Sequence, residues 1–417
     1  MTMLLLTNRR ILPELTRWFP DSREELVVVT LQRALDGLDP ATVGAWFRAF
    51  EVVPDYESPG VESLAAQLCA RYGVRRILTT SEGDIVRAAR LRDRLGLPGQ
   101  DLASATAYRD KFVMKSLASA AGVPVAPMRM VHDPGELAGF VARQGLPVVV
   151  KLPEGKGSIG QSVLTDASEV AGFCRWWREN PQPFLAEGWV AGPAFHVDGL
   201  MDGGEVLLSW PSCYVYTQWQ TRHDSLPFIS GMLPAEHPGF APLQELTAAV
   251  IGTLPPPPGM HPFHAEVFLT GGGEYVFCEI ACRAGGGLIV DEIHRAFGVQ
   301  LQEAGLKGQA GRQSEIRIGP LTDRYGHAVY APQRGRLRHL PASCPVEAVV
   351  AYSTCGVVGR AYQGARSSTD EVASALMRLR GPDPLAELSI LEDWWNGAVE
   401  WDLSTMDAAL VTAGRRG

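Results

Sequence analysis

Two glutamates lie in a pattern suited to holding a divalent cation. Glu266 in "HAEVFL" and Glu279 in "YVFCEIACR" each lie within an otherwise apolar run, and "TGGG" lies between the runs. If the runs are the two arms of a hairpin, strand alternation places both carboxylates over the same surface. Adjacent carboxylates repel each other, so the pair predicts a bound cation or a shared proton. Oxygen ligands favour Mg²⁺, with Mn²⁺ as a second choice. Two exposed hairpin glutamates are the alternative.

A glycine-rich segment at 148–164, "VVVKLPEGKGSIGQSVL", contains the spacing G-x-G-x-x-G. A dinucleotide-binding loop needs its last glycine to begin a helix. Here "QSVLTD" follows Gly160 and favours a strand, and the Walker spacing is also absent. We therefore predict a flap between two strands, whose backbone N–H groups and Ser158 hydroxyl close over phosphates. Lys151, inside the preceding apolar strand, needs an anionic partner. An ordinary glycine-rich hairpin is the alternative.

Further candidate residues are an arginine and a histidine close to the two glutamates. Arg283 precedes Ala284 and three glycines, and an arginine before such a turn is suited to bidentate capture of a phosphate or carboxylate. His264 shares the predicted strand face of Glu266; a hydrogen-bonded strand histidine is its alternative interpretation. Arg222 and His223, in a polar and aromatic segment, are candidate contacts for an amino-acid carboxylate, with a plain surface loop as the alternative.

The elements that position these residues follow from hydrophobic periodicity. Up to about residue 105, short apolar runs such as "MLLLT", "ELVVVT" and "RRILTT" alternate with helical patterns that end in glycine. This alternation predicts an open α/β domain with parallel strands. Strands and hairpins dominate the middle of the chain, where Gly203 and Gly204 form a hairpin signal. A small sheet and a helix over "STDEVASALMRL" are predicted near the C-terminus.

Composition excludes several classes of protein. The 417 residues are 46% hydrophobic and 20% charged, with a net charge of -8, which argues against nucleic acid or an anionic membrane as the main partner. The seven scattered cysteines are typical of reduced thiols and not of a disulfide framework. Without a secretory signal or an apolar stretch long enough to cross a bilayer, the protein is expected to be cytoplasmic.

The order of these motifs resembles the ATP-grasp superfamily of carboxylate–amine ligases, especially its L-amino-acid ligase branch. The resemblance rests on Lys111 in "YRDKF", Lys151 before the flap, "AEGWVAGPAFHVDG", and Glu266 with "EIACRAGGG". It implies an ATP-grasp fold of α/β class, α+β in the ATP-binding part. The implied divisions are an N-terminal domain over 1–105, a nucleotide-binding and catalytic domain over 106–320, and a small α+β domain over 321–417.

The resemblance also implies roles for individual residues. The phosphates of ATP would contact Lys111, Lys151, Gly157 and Ser158. The adenine would be held by Glu187 and the backbone of Val190. The ligands of Mg²⁺ would be Glu266 and Glu279. The acyl phosphate would be stabilised by Arg283, while His264 would face the substrate. The sequence departs from the family at Ala194, where a ribose-binding glutamate is usual, and at Ala281, where many members have a metal-binding asparagine.

The implied reaction is ATP-dependent formation of an amide or peptide bond through an acyl phosphate, with an amino acid or small carboxylate as donor and an amine as acceptor. The alternatives are an ATP-grasp carboxylase or formyltransferase and a nucleotide-binding protein without catalysis. Small-molecule substrates are expected as partners, and the family also includes homodimers.

Overall fold

The computed structural model describes residues 1–35, 37–365 and 370–403. Its N-terminal part is a parallel sheet in the order β3-β2-β1-β4 with helices on both faces. The strands are β1 (Met3–Leu6), β2 (Leu26–Leu31), β3 (Ala49–Val53) and β4 (Arg76–Thr79). The helices are α1 (Leu12–Trp18), α2 (Ser22–Glu25), α3 (Pro40–Gly44), α4 (Gly60–Tyr72) and α5 (Asp84–Leu95), and a 3₁₀ turn spans Gln32–Leu35. The predicted open α/β arrangement is confirmed.

Glycines end the two long helices of this part, as the sequence predicted. Gly73 and Gly96 follow α4 and α5 with φ of 61° and 62°, a left-handed conformation that costs glycine no steric strain. Two further helices, α6 (Leu102–Ala107) and α7 (Lys111–Ala120), lead into the next part of the chain. Asp110 caps α7 by accepting from two backbone N–H groups of its first turn, which fixes the position of Lys111.

A small antiparallel sheet carries the glycine flap. Its strands are β5 (Met128–Val131), β6 (Val148–Lys151), β7 (Ser162–Leu164) and β8 (Phe184–Gly188), in the order β5-β8-β6-β7. Helices α8 (Pro134–Gln144) and α9 (Ala167–Glu179) cover one face, burying the aromatic rings of Phe140, Trp177 and Phe184. Since β6 and β7 pair antiparallel, the glycine segment joins two strands, which confirms that it does not begin a helix.

A large antiparallel sheet forms the centre of the molecule. Its first strands are β9 (Ala194–Asp202), β10 (Glu205–Tyr214), β11 (Phe228–Met232), β12 (Met260–Leu269), β13 (Tyr275–Ala281) and β14 (Arg324–Tyr330). The connecting helices are α10 (Gln218–His223), α11 (Phe240–Thr253), α12 (Ile289–Phe297) and α13 (Leu301–Gln309), with a 3₁₀ turn at Gln313–Glu315. The predicted hairpin at Gly203 and Gly204 is confirmed, and both glycines have positive φ.

The C-terminal part extends this sheet. Its elements are β15 (Arg334–His339), β16 (Val349–Thr354), β17 (Ala361–Gln363), β18 (Ala373–Leu379), α14 (Pro384–Ala398) and β19 (Glu400–Asp402). The large sheet has the order β13-β12-β9-β10-β11-β14-β18-β16, so it continues across residue 320, and the domain division proposed there stays a prediction. Strands β17, β15 and β19 form a separate small sheet.

The helix predicted over "STDEVASALMRL" is wrong, because its second half is strand β18. This strand lies between β14 and β16 and is buried on both faces, with α14 packed against it. Burial on both faces produces an unbroken apolar run, and periodicity cannot distinguish such a run from a helix. Ser368 and Thr369, at the start of the predicted helix, lie outside the described residues.

Candidate active site

A cleft of about 920 Å³, open to solvent, lies between the small sheet and the edge of the large sheet. One side is apolar and aromatic, with Val149, Phe268 and Phe277 among its lining residues. The other side is charged. The cleft brings together most of the residues that the sequence singled out: Lys111, Lys151, Gly157, Ser158, Glu187, Val190, Glu266 and Glu279. Arg283 and His264 are not among its lining residues. His264 contacts Glu266, which lines the cleft, and Arg283 contacts Glu82 in the N-terminal part.

The two glutamates face each other at one end of the cleft. Strands β12 and β13 pair antiparallel, with Glu266 directly opposite Glu279, as strand alternation predicted. The ammonium of Lys111 lies 3.2 Å from Glu279 Oε2. Gln218 Nε2 donates to Glu266 Oε1, and His264 Nε2 lies 3.4 Å from the same oxygen. Thus each carboxylate has an ammonium or N–H group beside it. These groups offset the repulsion between the two carboxylates, as a bound divalent cation would also do.

Three buried charges connect the small sheet to α7. Glu187 Oε1 lies 2.5 Å from Lys115 Nζ, and Glu187 Oε2 lies 2.8 Å from Lys151 Nζ. Burial opposes ionisation of Glu187, but the two ammonium groups outweigh it and lower its pKa to about 2. Burial likewise disfavours the charged form of Lys151, yet the carboxylate of Glu187 raises the pKa of this lysine above its usual value. Glu187 and Lys151 are therefore both charged at neutral pH.

The flap is closed over the cleft by cations from other parts of the chain. Lys111 Nζ donates to the Gly155 carbonyl at 2.7 Å, and Arg222 Nη1 from α10 donates to the Ser158 carbonyl at 2.7 Å. Arg109 Nη2 donates to the Glu154 carbonyl. Gly157 and Ser158 both have positive φ, 57° and 56°. Consecutive residues in this conformation direct their N–H groups to one side, which suits an anion.

Arg283 and Arg109 share one carboxylate from the N-terminal part. Glu82, in the loop after β4, accepts from Arg283 Nε at 3.0 Å and Nη2 at 2.7 Å, and from Arg109 Nη1 at 2.9 Å. Burial disfavours the charged carboxylate, but the two guanidinium groups hold the pKa of Glu82 far below its usual range. The N-terminal sheet thus positions Arg283 beside the charged end of the cleft.

His264 lies behind Glu266 and not in the open cleft. Its Nδ1 is 2.9 Å from Asp198 Oδ1, while its Nε2 points to Glu266. Asp198 Oδ2 in turn lies 2.5 Å from His196 Nδ1. Burial disfavours an imidazolium here, but Asp198 raises the pKa of His264 to about 9. Gly285 permits the turn after Arg283 to pack on this group, because a Cβ there would lie 2.7 Å from Asp198 Oδ1.

Two weaker candidates from the sequence have different outcomes, and three residues near the cleft were not predicted. Arg222 contacts the flap, whereas His223 is exposed and stacks on Trp219. Lys115 was missed, although it lies one turn after Lys111 on α7 and the i, i+4 spacing was a readable signal. Glu82 and Gln218 were also missed, because each lies in a segment that only tertiary folding brings to the cleft.

No family model matches the chain. It is 25% identical over 276 residues to an L-arginine-specific L-amino acid ligase of Bacillus subtilis, a match that covers 63% of this chain and 64% of that protein. The chain therefore spans less than two thirds of the length of the curated relatives it matches.

Solved structures resemble nearly the whole chain. The L-amino acid ligase from Bacillus licheniformis has a TM-score of 0.70 at 14% identity, covering 96% of this chain and 98% of that one. The carboxyaminoimidazole ribonucleotide synthase from Aspergillus clavatus, complexed with ATP, has a TM-score of 0.67 at 14% identity, covering 95% and 99%. At these identities the likeness shows the fold. No helix in the described ranges is both long and apolar enough to cross a membrane.

Proposed function

We propose that this chain, which has the ATP-grasp fold, is an ATP-dependent carboxylate–amine ligase that forms an amide or peptide bond. The main observation behind the proposal is that Glu266 and Glu279 lie opposite each other at the charged end of a cleft closed by a glycine flap. Similarity to the L-amino acid ligases of two Bacillus species supports it. The acyl donor is proposed to be an amino acid or another small carboxylate.

The donor set of the two glutamates fits Mg²⁺, and less selectively Mn²⁺. Both offer carboxylate oxygens, the ligands these ions prefer, and Mg²⁺ is commonly held by one or two carboxylates together with nucleotide phosphates. When bound, such an ion supplies positive charge that polarises the phosphoryl group and offsets the charge developing during its transfer. Lys111, which lies beside Glu279, would then be free to contact a phosphate.

The nucleotide is proposed to lie along the length of the cleft. Lys111, Lys151 and the backbone of Gly157 and Ser158 would contact its phosphates, since cations and convergent N–H groups stabilise transferred phosphoryl groups. The apolar side would take the adenine, with the backbones of Glu187 and Val190 at its edge. The carboxylate of Glu187 is already paired with two lysines, so its proposed role is to hold these lysines in place.

Arg283 and His264 complete the proposed catalytic arrangement. Arg283 would stabilise the acyl phosphate and the tetrahedral species formed when the amine attacks, because its fork of donors fits phosphoryl and carboxylate oxygens. His264 has its ring nitrogens directed at Asp198 and Glu266. This arrangement favours a role in orienting Glu266 over direct contact with the substrate. The closed flap would keep water from the acyl phosphate.

The activity is tested by measuring ADP release with mixtures of carboxylates and amines. Turnover that needs both a carboxylate and an amine is expected, and mass spectrometry should show the condensed product. Turnover dependent on bicarbonate or formate would instead identify a carboxylase or formyltransferase. Tight ATP binding without turnover in any mixture would identify a nucleotide-binding protein and contradict the proposal.

Replacing Arg222 by alanine is expected to weaken closure of the flap. The variant loses the guanidinium bond to the Ser158 carbonyl. The low end of what a hydrogen bond to a charged group contributes, about 1.5 kcal/mol, corresponds to about tenfold in an equilibrium. We therefore expect the KM for ATP to rise by up to about tenfold and ADP to form without amide product. The measurement is the ratio of ADP to product, with His223→Ala as the neighbouring control. An unchanged ratio and KM would show that Arg222 has no part in closure.

A further inference from the structure

A line of buried polar side chains runs from the middle of the large sheet to Glu266. Ser230 Oγ on β11 lies 2.5 Å from His196 Nε2 on β9, and His196 Nδ1 lies 2.5 Å from Asp198 Oδ2. The other oxygen of Asp198 lies 2.9 Å from His264 Nδ1 on β12, and His264 Nε2 is 3.4 Å from Glu266 Oε1. We call these five residues the polar network.

The polar network is buried except at its end in the cleft. Its four inner members are each exposed by no more than 4%, and of the five only Glu266 lines the cleft. The strand register places Asp198 directly opposite His264 and His196 directly opposite Glu266 on neighbouring strands. The turn that contains Gly285 covers them closely, since a Cβ at this position would lie 2.7 Å from Asp198 Oδ1 and 3.1 Å from His264 Nδ1. The network is therefore held from two sides, by the strands and by this turn.

Each contact in the polar network fixes the orientation of the next group. A carboxylate oxygen accepts, so His196 and His264 both donate to Asp198 from Nδ1. The bond from His264 Nδ1 orients the imidazole ring, and in this orientation its Nε2 faces the Glu266 carboxylate. Removing the Asp198 carboxylate would take the acceptor from both Nδ1 atoms, and the ring beside Glu266 would lose the bond that orients it.

The polar network belongs to a more rigid part of the site than a second contact of Glu266. Gln218, which also donates to Glu266 Oε1, lies on α10, a six-residue helix whose Arg222 contacts the flap. The network instead lies entirely on three strands of the large sheet. If α10 moves with the flap when nucleotide enters, the network is the support of Glu266 that stays in place.

We propose that Asp198 is a positioning residue for the metal site, acting through His264 on the Glu266 carboxylate. His196 and Ser230 hold Asp198 in turn. Mg²⁺ demands near-ideal octahedral geometry, so its affinity depends on how a ligand carboxylate is held. Partners behind metal ligands typically contribute tenfold to a hundredfold to metal affinity. Apolar packing often replaces buried charged pairs without loss of stability, so stability alone does not account for the network. This inference rests on the metal site of the proposed function, and not on the reaction.

The experiment measures the binding of Mn²⁺ alone, from the loss of the electron paramagnetic resonance signal of the free ion. Asp198→Asn keeps the size of the side chain but replaces one acceptor oxygen by an N–H donor, so one histidine loses its partner. We expect Mn²⁺ affinity to fall by about tenfold to a hundredfold.

Glu292→Gln is the matched control. Glu292 is buried, and its Oε1 lies 2.8 Å from Nδ1 of the buried His327. Within the described residues, this pair makes no hydrogen bond or ion pair with the polar network. The control therefore removes another buried carboxylate that is paired with an imidazole, and it should leave Mn²⁺ affinity unchanged.

The Mg²⁺ dependence of the rate separates a positioning role from a loss of folded protein. In Asp198→Asn, the Mg²⁺ concentration for half-maximal ADP release should rise, and saturating Mg²⁺ should restore most of kcat. Loss of folded protein alone would lower the rate at every Mg²⁺ concentration. If circular dichroism shows Asp198→Asn unfolded, Ser230→Ala decides, because it removes only the far end of the network. We expect it to lower Mn²⁺ affinity by less than about tenfold, the upper value of one neutral hydrogen bond.

A wild type that binds no Mn²⁺, or a folded Asp198→Asn that keeps full Mn²⁺ affinity, would overturn the positioning role. So would an equal loss of affinity in Glu292→Gln. The two proposals fail separately. If Mn²⁺ binding depends on Asp198 but no mixture of carboxylate and amine releases ADP, the positioning role stands and the ligase activity falls. If ADP is released and Mn²⁺ affinity is unchanged in Asp198→Asn, the ligase activity stands and the positioning role falls.

Discussion

Glu279→Gln is expected to abolish measurable turnover while leaving the fold intact. The change keeps the shape of the side chain but removes the charge that faces Glu266 across the hairpin and pairs with Lys111. Loss of one preorganised charged or hydrogen-bonding group from a site of phosphoryl or acyl transfer typically costs about a hundredfold to a thousandfold in rate. A weakened metal site adds to this loss. The measurements are ADP release and the Mg²⁺ concentration that gives half-maximal rate.

The hairpin itself offers a matched control for this substitution. Glu274 lies in the turn that joins β12 to β13 and is exposed to solvent. Glu274→Gln removes the same charge from the same element, so it should leave rate and metal dependence unchanged. Circular dichroism and thermal melting should show both variants folded. A fully active Glu279→Gln would refute the metal assignment, and with it the observation that carries the proposed function.

The opposed positions of Glu266 and Glu279 on the hairpin could be predicted because they depend on the local sequence pattern alone. Strand alternation and a glycine turn decide which side chains share a face, and both are visible in the sequence. The flap between β6 and β7 followed in the same way from the strand-like residues after Gly160. Lys151 was found because a lysine inside an apolar strand needs a partner, whereas Lys111 was named only through the resemblance in motif order.

The partner of Lys151 could not be read from local pattern. Glu187 lies on β8, and its carboxylate meets Lys115 and Lys151 only because β8 pairs with β6 while α7 packs nearby. The bond between Glu82 and Arg283 joins residues 201 positions apart. Such contacts arise from the packing of segments that are distant in the sequence, and hydrophobic periodicity carries no information about that packing. The strand β18 was missed for a related reason, since burial on both faces removes the alternation that marks a strand.

Glu187→Ala is expected to lower the free energy of unfolding by about 3–5 kcal/mol, the usual result of removing one partner from a buried ion pair. Both lysine ammonium groups would remain, each with a side chain exposed by less than 10% and without the carboxylate that now lies between them. Urea denaturation measures the loss. Glu179→Ala, at the exposed end of α9 in the same part of the fold, is the control and should change stability little.

The pH dependence of this loss has a defined sign. The folded-state pKa of Glu187 is lowered to about 2, against about 4.3 for a glutamate in an unfolded chain. Its contribution is therefore fully present above about pH 4.3 and is lost as the pH falls through about 2. The difference in stability between wild type and Glu187→Ala should be constant near neutral pH and should shrink between these two values. A difference that grew on acidification would contradict the charged pair.

Adding ATP distinguishes a purely structural role of Glu187 from its proposed role, which is to position Lys115 and Lys151 for contact with the phosphates. If Lys151 contacts phosphate, bound ATP supplies the anion that the alanine variant lacks, so saturating ATP should recover part of the lost stability. The variant should also bind ATP more weakly than wild type, because its two ammonium groups are no longer held in place before binding. If ATP instead stabilises the variant no more than it stabilises Glu179→Ala, while affinity is unchanged, the lysines do not act on the nucleotide and the orientation proposed for ATP in this cleft is wrong.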